Sequence, residues 1–596
     1  MKTVWLIALL AVVLGAGLAF VACGGAHHDN NSNKPDDDDN NSDDDQTIAP
    51  YGFQIVDVES ETSPAVQLAL QACAGLYNRQ RGGSVYTIMK DTDSQWLQEL
   101  AFGPAELADS AQFLQSCVTA FPCLRYSYTA QQPLLPNILT VGAVLGAVPL
   151  DEGMTPACAN PAFDAIAAFA ERNTPYLATQ YVYENYVKET TGLAMINPGY
   201  DDNNAKVWDP PLTGDMDASL VDFVFSAKLF VTFLINGCIP ATPEHALLDE
   251  IAAANPWPNP IGVYGYADYW KVFGGDLFEA QTNCVDSRNL GEIATSGVNN
   301  LSFLSSRRSP ISEANEVEQN AAEDVDYDPS MTYVAFVVGD GDNVGFLMDQ
   351  RSQWFQQRVA DCRQTDNSCA PLTWTISPHI TYLAPDVLEW YYDLSHQTGK
   401  DYFMLPPSGH LYAYPASMDA AMQDKFVAAT EQDARLLGAD TTIDWEWLTT
   451  WHSAETEFLP KYATVGGVIG GVFPVNVPYM FPTFTWPNAN QFFKVLTGQD
   501  GGKAVLFRPR EWRGVDESGA GLLLDFNLTP ADMAKELGNY PAGTVAYVYM
   551  TSDGGLTIEN AFLPLVKLLP AHVRLVSTAA AVRLALDASQ NGADAK

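Results

Sequence analysis

From Tyr333 onward, short apolar runs alternate with helix-patterned stretches, and this alternation constrains the fold more than any other feature of the chain. The runs are Tyr333–Val338, Leu372–Ser377, Tyr402–Leu405, Thr441–Asp444, Val465–Gly470, Lys503–Phe507, Thr544–Met550 and Val573–Val576. Strands that alternate with helices argue for parallel βαβ units. Eight of them over about 250 residues fit a (β/α)-barrel-like C-terminal domain, with a doubly wound sheet as the alternative. Either architecture gathers ligands at the C-terminal ends of its strands. The residues that follow each run are therefore the place to look for chemistry.

Those ends are rich in polar and aromatic groups. Gly339-Asp340-Gly341-Asp342-Asn343 follows the first run, His379 the second, and Gly409 to Pro415, with His410, Tyr412 and Tyr414, the third. The fourth ends in Asp444-Trp445-Glu446-Trp447, the sixth leads to Glu511 and the seventh to Asp553. Paired carboxyl groups can divide acid and base or nucleophile roles, one of them with a raised pKa. The catalytic candidates are accordingly Asp342, Glu446, Asp340 and Asp444, then Glu511 and Asp553. Asn343, His379, His410, Tyr412, Tyr414, Trp445 and Trp447 are the substrate-binding candidates, the aromatic ones as faces for sugar rings. Asp340 and Asp342 with His379 and His410 also suggest a rival, a divalent cation in a metal-dependent deacetylase. No other cofactor is expected. Two carboxylates in the glycine loop would repel a pyrophosphate, which argues against a dinucleotide site. Neither Gly-x-Ser-x-Gly nor His-Glu-x-x-His occurs.

Residues 50–325 mix helix and strand patterns and read as two or three small α/β domains. Helices are expected over Ser63–Asn78, from Asp93 with Asp93 or Ser94 as N-cap, over Pro161–Arg172, Pro175–Thr190 and Asp217–Ile235. Strands are expected at Ser84–Ile88 and Ile261–Tyr266, and Ile138–Leu150 reads as strand plus helix. The polar, acidic segment Ser305–Asp328 is the boundary to the C-terminal domain, taken as 326–580, with 581–596 left as a tail.

The first 23 residues have the make-up of an export signal: Lys2, an apolar run from Val4 to Val21, and small residues around Cys23. Phe20-Val21-Ala22-Cys23 resembles the lipobox of bacterial lipoproteins, with Phe20 where Leu is usual. That resemblance implies lipid on Cys23, membrane attachment through it, and an outer-membrane or cell-surface location. Residues 24–49 are mostly Asp, Asn and Ser and read as an extended tether. The whole chain carries 31 basic and 72 acidic residues, a formal charge of −41. Without Lys2 and the tether, 29 bases still face 64 acids, which argues against nucleic acid as a partner. Besides Cys23 there are eight cysteines, enough for four disulfides. Cys117/Cys123 and Cys362/Cys369 would close short loops, and the second is preferred because Arg363–Ser368 reads as a surface loop.

Gly409, Tyr412, Tyr414 and Pro415 fit the signature Gly-x-Gly-Tyr-x-Tyr-Pro, with Leu411 where the second Gly belongs. Together with Asp340-Gly341-Asp342-Asn343, Leu76-Tyr77-Asn78-Arg79 and Trp96-Leu97, this resembles the GxGYxYP family, described as putative glycoside hydrolases. The resemblance spans most of residues 50–580 and implies a barrel-like C-terminal domain behind small N-terminal domains, acting on carbohydrate. A non-catalytic glycan-binding lipoprotein is the alternative, and Leu411 in the signature favours it.

Overall fold

The computed structural model describes residues 52–590, apart from 201–211, 213, 255, 266–277, 364–368, 448, 476–490, 514–526 and 552–555. Cys23 and Asp553 lie outside the described residues. The fold is mixed α/β, built on mainly parallel sheets, and residues 50–596 form one compact unit.

Three small parallel sheets come first. β1 (Phe53–Asp57) lies between β2 (Val85–Ile88) and β3 (Ala105–Ala108). β4 (Cys123–Tyr126) lies between β5 (Val148–Asp151) and β6 (Phe163–Asp164). β7 (Gly192–Met195), β8 (Leu229–Thr232), β9 (Ile261–Gly265) and β10 (Leu290–Ala294) run in the order β10-β9-β7-β8. Disulfides join Cys73–Cys117, Cys123–Cys158, Cys238–Cys284 and Cys362–Cys369. The expected Cys362–Cys369 loop is therefore present, whereas Cys117 and Cys123 each bond elsewhere.

The C-terminal strands are β11 (Thr332–Val338), β12 (Leu372–Thr375), β13 (Asp401–Met404), β14 (Thr441–Trp445), β15 (Gly471–Val475), β16 (Phe493–Thr497), β17 (Lys503–Phe507), β18 (Glu511–Trp512), β19 (Val545–Met550) and β20 (Val573–Val576). One sheet runs β13-β12-β11-β19-β18, with β20 also on β11. The other runs β14-β15-β17-β16, its last pair antiparallel. A parallel bridge at Leu405 and Thr442 links the two. Alternate residues explain the burial. Val334, Phe336 and Val338 of β11 face the main core under the helices, while Tyr333, Ala335 and Val337 face a second core. Phe473, Val505, Phe507, Tyr547 and Tyr549 join that second core, so both sheets turn one face of their strands to a common interior.

Several expectations need correction. The helix expected over Asp217–Ile235 covers only Val221–Ala227, because Lys228 takes a left-handed φ of 58° and the apolar run after it pairs with β7. Over Pro161–Arg172 the chain instead forms β6 and one short helix, Ala165–Ala168. Asp93 does not cap its helix as the first residue. Its carboxylate reaches back to accept from Met89 N at 2.8 Å and Lys90 N at 3.1 Å. The run at Val465–Gly470 is a turn, and the strand follows it, because Gly466 adopts a positive φ and Val465 stays exposed. Residue 580 falls inside a helix. A helix runs Thr578–Gln590 and buries Ala581, Leu584, Ala585 and Ala588 in the second core.

Candidate active site

The loop after β11 is shaped by its glycines. A side chain on Gly339 would run into the Tyr549 ring, and one on Gly341 into the Thr375 carbonyl, so only glycine lets the loop lie against β19 and β12. Between them Asp340 sits at a φ of 61°, a left-handed conformation that Asp tolerates better than most residues and that clusters at functional sites. The backbone N–H of Asp340 donates to the Tyr549 hydroxyl at 3.1 Å, and that of Gly341 to Thr375 Oγ1 at 2.9 Å. Arg351, buried beneath the loop, donates through Nη2 to the Gly339 carbonyl and to Asp340 Oδ2, the latter at 3.3 Å. Among the described residues Asp342 has no such bond to a cation. Burial, reinforced by the neighbouring Asp340, pushes its carboxyl up to about 7, with Arg351 opposing. Both aspartates keep partial exposure.

The Asp444 and Glu446 carboxyls, by contrast, are 1% and 0% exposed. Burial raises Asp444 to about 8 and holds Glu446 well above the usual carboxylate range, with Asp444 and Asp286 adding to the second effect. Glu446 accepts from Ala416 N through Oε1 and from Thr450 Oγ1 through Oε2, each at 2.7 Å. Glu511, paired opposite Tyr549 on β18, is also fully buried and takes a 3.4 Å contact from Arg513 Nε. Tyr547 and Tyr549, two apart on β19, stand between these groups. The first feels Glu511 and Asp444, and the second Asp340 and Asp342; burial, the largest effect, and these acids raise both phenols.

The binding candidates separate in the same way. Tyr412 and Tyr414 are 6% and 1% exposed, so they do not present the open faces expected of them. They back Trp445 instead, with ring centroids at 5.5 and 6.3 Å, and Tyr414 also backs Trp447 at 6.1 Å. Trp445 and Trp447 remain partly exposed. Asn343 turns out to be a helix cap: its Oδ1 accepts from Phe346 N at 3.2 Å at the start of the helix Val344–Met348. His379 is buried, which lowers its pKa, and its Nδ1 meets the Tyr382 hydroxyl at 3.1 Å. His410, partly exposed, has Nδ1 2.6 Å from Asp433 Oδ2. The rings of His379 and His410 meet at 5.3 Å. Among the described residues, no group of three His, Cys, Asp or Glu side chains converges as metal ligands would.

Sequence reasoning missed Arg351, Asp433 and Asp286. Arg351 follows Asp340 by eleven residues across a short helix, a separation that only the fold closes. Asp433 and Asp286 lie on helices whose pattern gave no sign of a site.

Residues 330–471 match the model of the GxGYxYP putative glycoside hydrolase C-terminal domain. No curated protein matches the chain. Among solved structures, a putative hydrolase from Bacteroides thetaiotaomicron superposes with a TM-score of 0.64 at 17% identity, covering 89% of this chain and 94% of that one. The 4-alpha-glucanotransferase from Thermococcus litoralis reaches a TM-score of 0.30 at 14% identity over 43% of this chain and 40% of its own, and no argument rests on it. The likeness first carried by Gly409, Tyr412, Tyr414 and Pro415 thus extends over residues 330–471 as a GxGYxYP C-terminal domain.

Proposed function

We propose that the chain is a glycoside hydrolase of the cell envelope, with Asp342 as its general acid and Asp340 as the paired carboxylate. The observation that carries this is a difference in environment. Among the described carboxylate candidates only Asp340 and Asp342 retain exposure, and Asp340 is bonded to the buried Arg351 guanidinium. Burial and the neighbouring Asp340 both favour the protonated form of Asp342. Asp342, raised to about 7, is then protonated when a leaving-group oxygen needs it. Trp445 and Trp447 offer the partly exposed faces on which a sugar ring can stack.

The two mainly parallel sheets, their bridge at Leu405 and Thr442, and their common interior support a barrel-like frame for this site. Asp444, Glu446 and Glu511 serve as buried supports in this reading. Anchoring through lipid on Cys23, with residues 24–49 as the tether, would place the site outside the cytoplasm. The test is release of reducing ends from a panel of polysaccharides and aryl glycosides. Hydrolysis that survives chelation and disappears in Asp342→Asn is the expected result. Binding without release would instead mark a glycan-binding protein, and activity abolished by chelation would favour the cation-dependent alternative.

A further inference from the structure

The later part of the signature segment and the residues after it are held in part by the N-terminal region. Tyr412 pairs with Glu292 at the open edge of β10, N–H to carbonyl in both directions, at 2.9 and 3.0 Å. Tyr414 N donates to Asp286 Oδ2 at 2.6 Å, and the Ser417 hydroxyl to Asn283 Oδ1 at 2.7 Å. Asp419 N donates to Asn289 Oδ1 at 3.0 Å, and Asn289 Nδ2 returns a bond to Asp419 Oδ2 at 2.7 Å. Asn283, Asp286 and Asn289 are spaced by three, so one helical face and the turn after it grip every second or third residue of the loop. The helix carrying the first two, Phe278–Asp286, is pinned by Cys238–Cys284.

Leu411 completes the joint. It is 2% exposed and fills a notch left by two glycines: a methyl on Gly291 would stand 2.7 Å from its Cβ, and one on Gly262 would stand 3.2 Å from its Cδ2. From the C-terminal side, Glu446 holds Ala416 N, two residues from the N–H that Asp286 holds. Asp286 is fully buried, and its Oδ1 has no hydrogen-bond partner among the described residues. Tyr414, clamped in this way, backs both Trp445 and Trp447.

We propose that Asp286 is a positioning residue of the carbohydrate site, and that the N-terminal region forms the fixed half of the aromatic shelf on which sugar stacks. The inference rests on the carbohydrate reading above but not on catalysis. Its test uses the full chain, with Asp286→Ala, which removes the acceptor for Tyr414 N, and Asp286→Asn, which keeps one. Two readouts are taken: hydrogen exchange of the amides of residues 411–417, and retention in gels containing a glucan, a xylan, a galactomannan or an arabinogalactan. The wild type is expected to be retained by at least one polysaccharide and Asp286→Asn nearly as well. Asp286→Ala should lose about tenfold in affinity, the upper end for one lost hydrogen bond, with faster loop exchange and unchanged exchange in β11. Should Asp286→Ala fail to fold, Asn289→Ala is expected to give the same pattern at about threefold, as for a weaker neutral bond.

Retention of either alanine variant at wild-type strength, or loop exchange that does not change, overturns the proposal. So does a wild type retained by none of the four polysaccharides. A wild type that is retained but releases no reducing ends sinks the hydrolase reading and leaves this one standing.

Discussion

Two pairs of carboxyls, each two residues apart, close parallel strands of the C-terminal region and end in opposite surroundings. Asp340 and Asp342 are set among glycines, and their loop lies partly open over a buried arginine. Asp444 and Glu446 are set among tryptophans, and the signature loop roofs them. The groups that act on Glu446, apart from its two donors, are the acids Asp444 and Asp286, which press it toward the neutral form. Equal spacing therefore does not imply an equal role. What flanks each acid decides whether it meets solvent, a cation or only other acids.

The comparison breaks most visibly in activity. Asp342→Asn is expected to lose about 10²- to 10⁴-fold in reducing-end release, the usual contribution of a general acid, while Glu446→Gln should stay within about threefold. The wild-type rate should fall on the alkaline side of about 7, where Asp342 gives up its proton. A reversed pattern between the two variants would exchange the roles of the pairs. Next in size is the roof. Leu411→Ala opens a cavity against Gly262 and Gly291 and should cost roughly 2–5 kcal/mol in urea unfolding.

Stability against pH sharpens the contrast further. An acid whose pKa is raised by folding contributes stability that is fully present below its unfolded value and lost as pH climbs through the folded one. For Asp444 that window runs from the ordinary carboxylate range up to about 8. Melting temperature should accordingly decline across it, and Asp444→Asn should flatten the decline; an equally steep curve in that variant would clear Asp444. The smallest effect belongs to Asn343→Ala, which removes a helix cap at about 1 kcal/mol and should leave KM unchanged.

Much of this was legible in the chain. The run at Tyr333–Val338 became a strand because residues buried on both faces are apolar throughout, and Lys503–Phe507 and Val573–Val576 did so with one exposed charge each, Lys503 and Arg574. The glycine-flanked aspartates stood out because a loop of that composition has few uses. Other elements were hidden by ambiguity in the pattern. Leu229–Thr232 continues the apolar character of the helix before it, and only the positive φ at Lys228 separates the two. The antiparallel strand Phe493–Thr497 breaks the βα rhythm that guided the reading. Leu411 looked like a defect in a signature, because its explanation lies in glycines more than a hundred residues earlier.

The polar segment read as the domain boundary is also a strap. Gln319 donates to the carbonyls of Phe403 and Gly438 and accepts from Phe403 N, and Asn320 donates to the carbonyls of Ser395 and Asp401. Glu323 accepts from Tyr402 and Ser577. A recombinant fragment cut at residue 326 would strip donors from those carbonyls, and one ending at 580 would also cut through the helix Thr578–Gln590 that plugs the interior. A fragment spanning 308–590 keeps both, so whether the C-terminal half survives alone depends on eighteen residues that look, in sequence, like the part to discard.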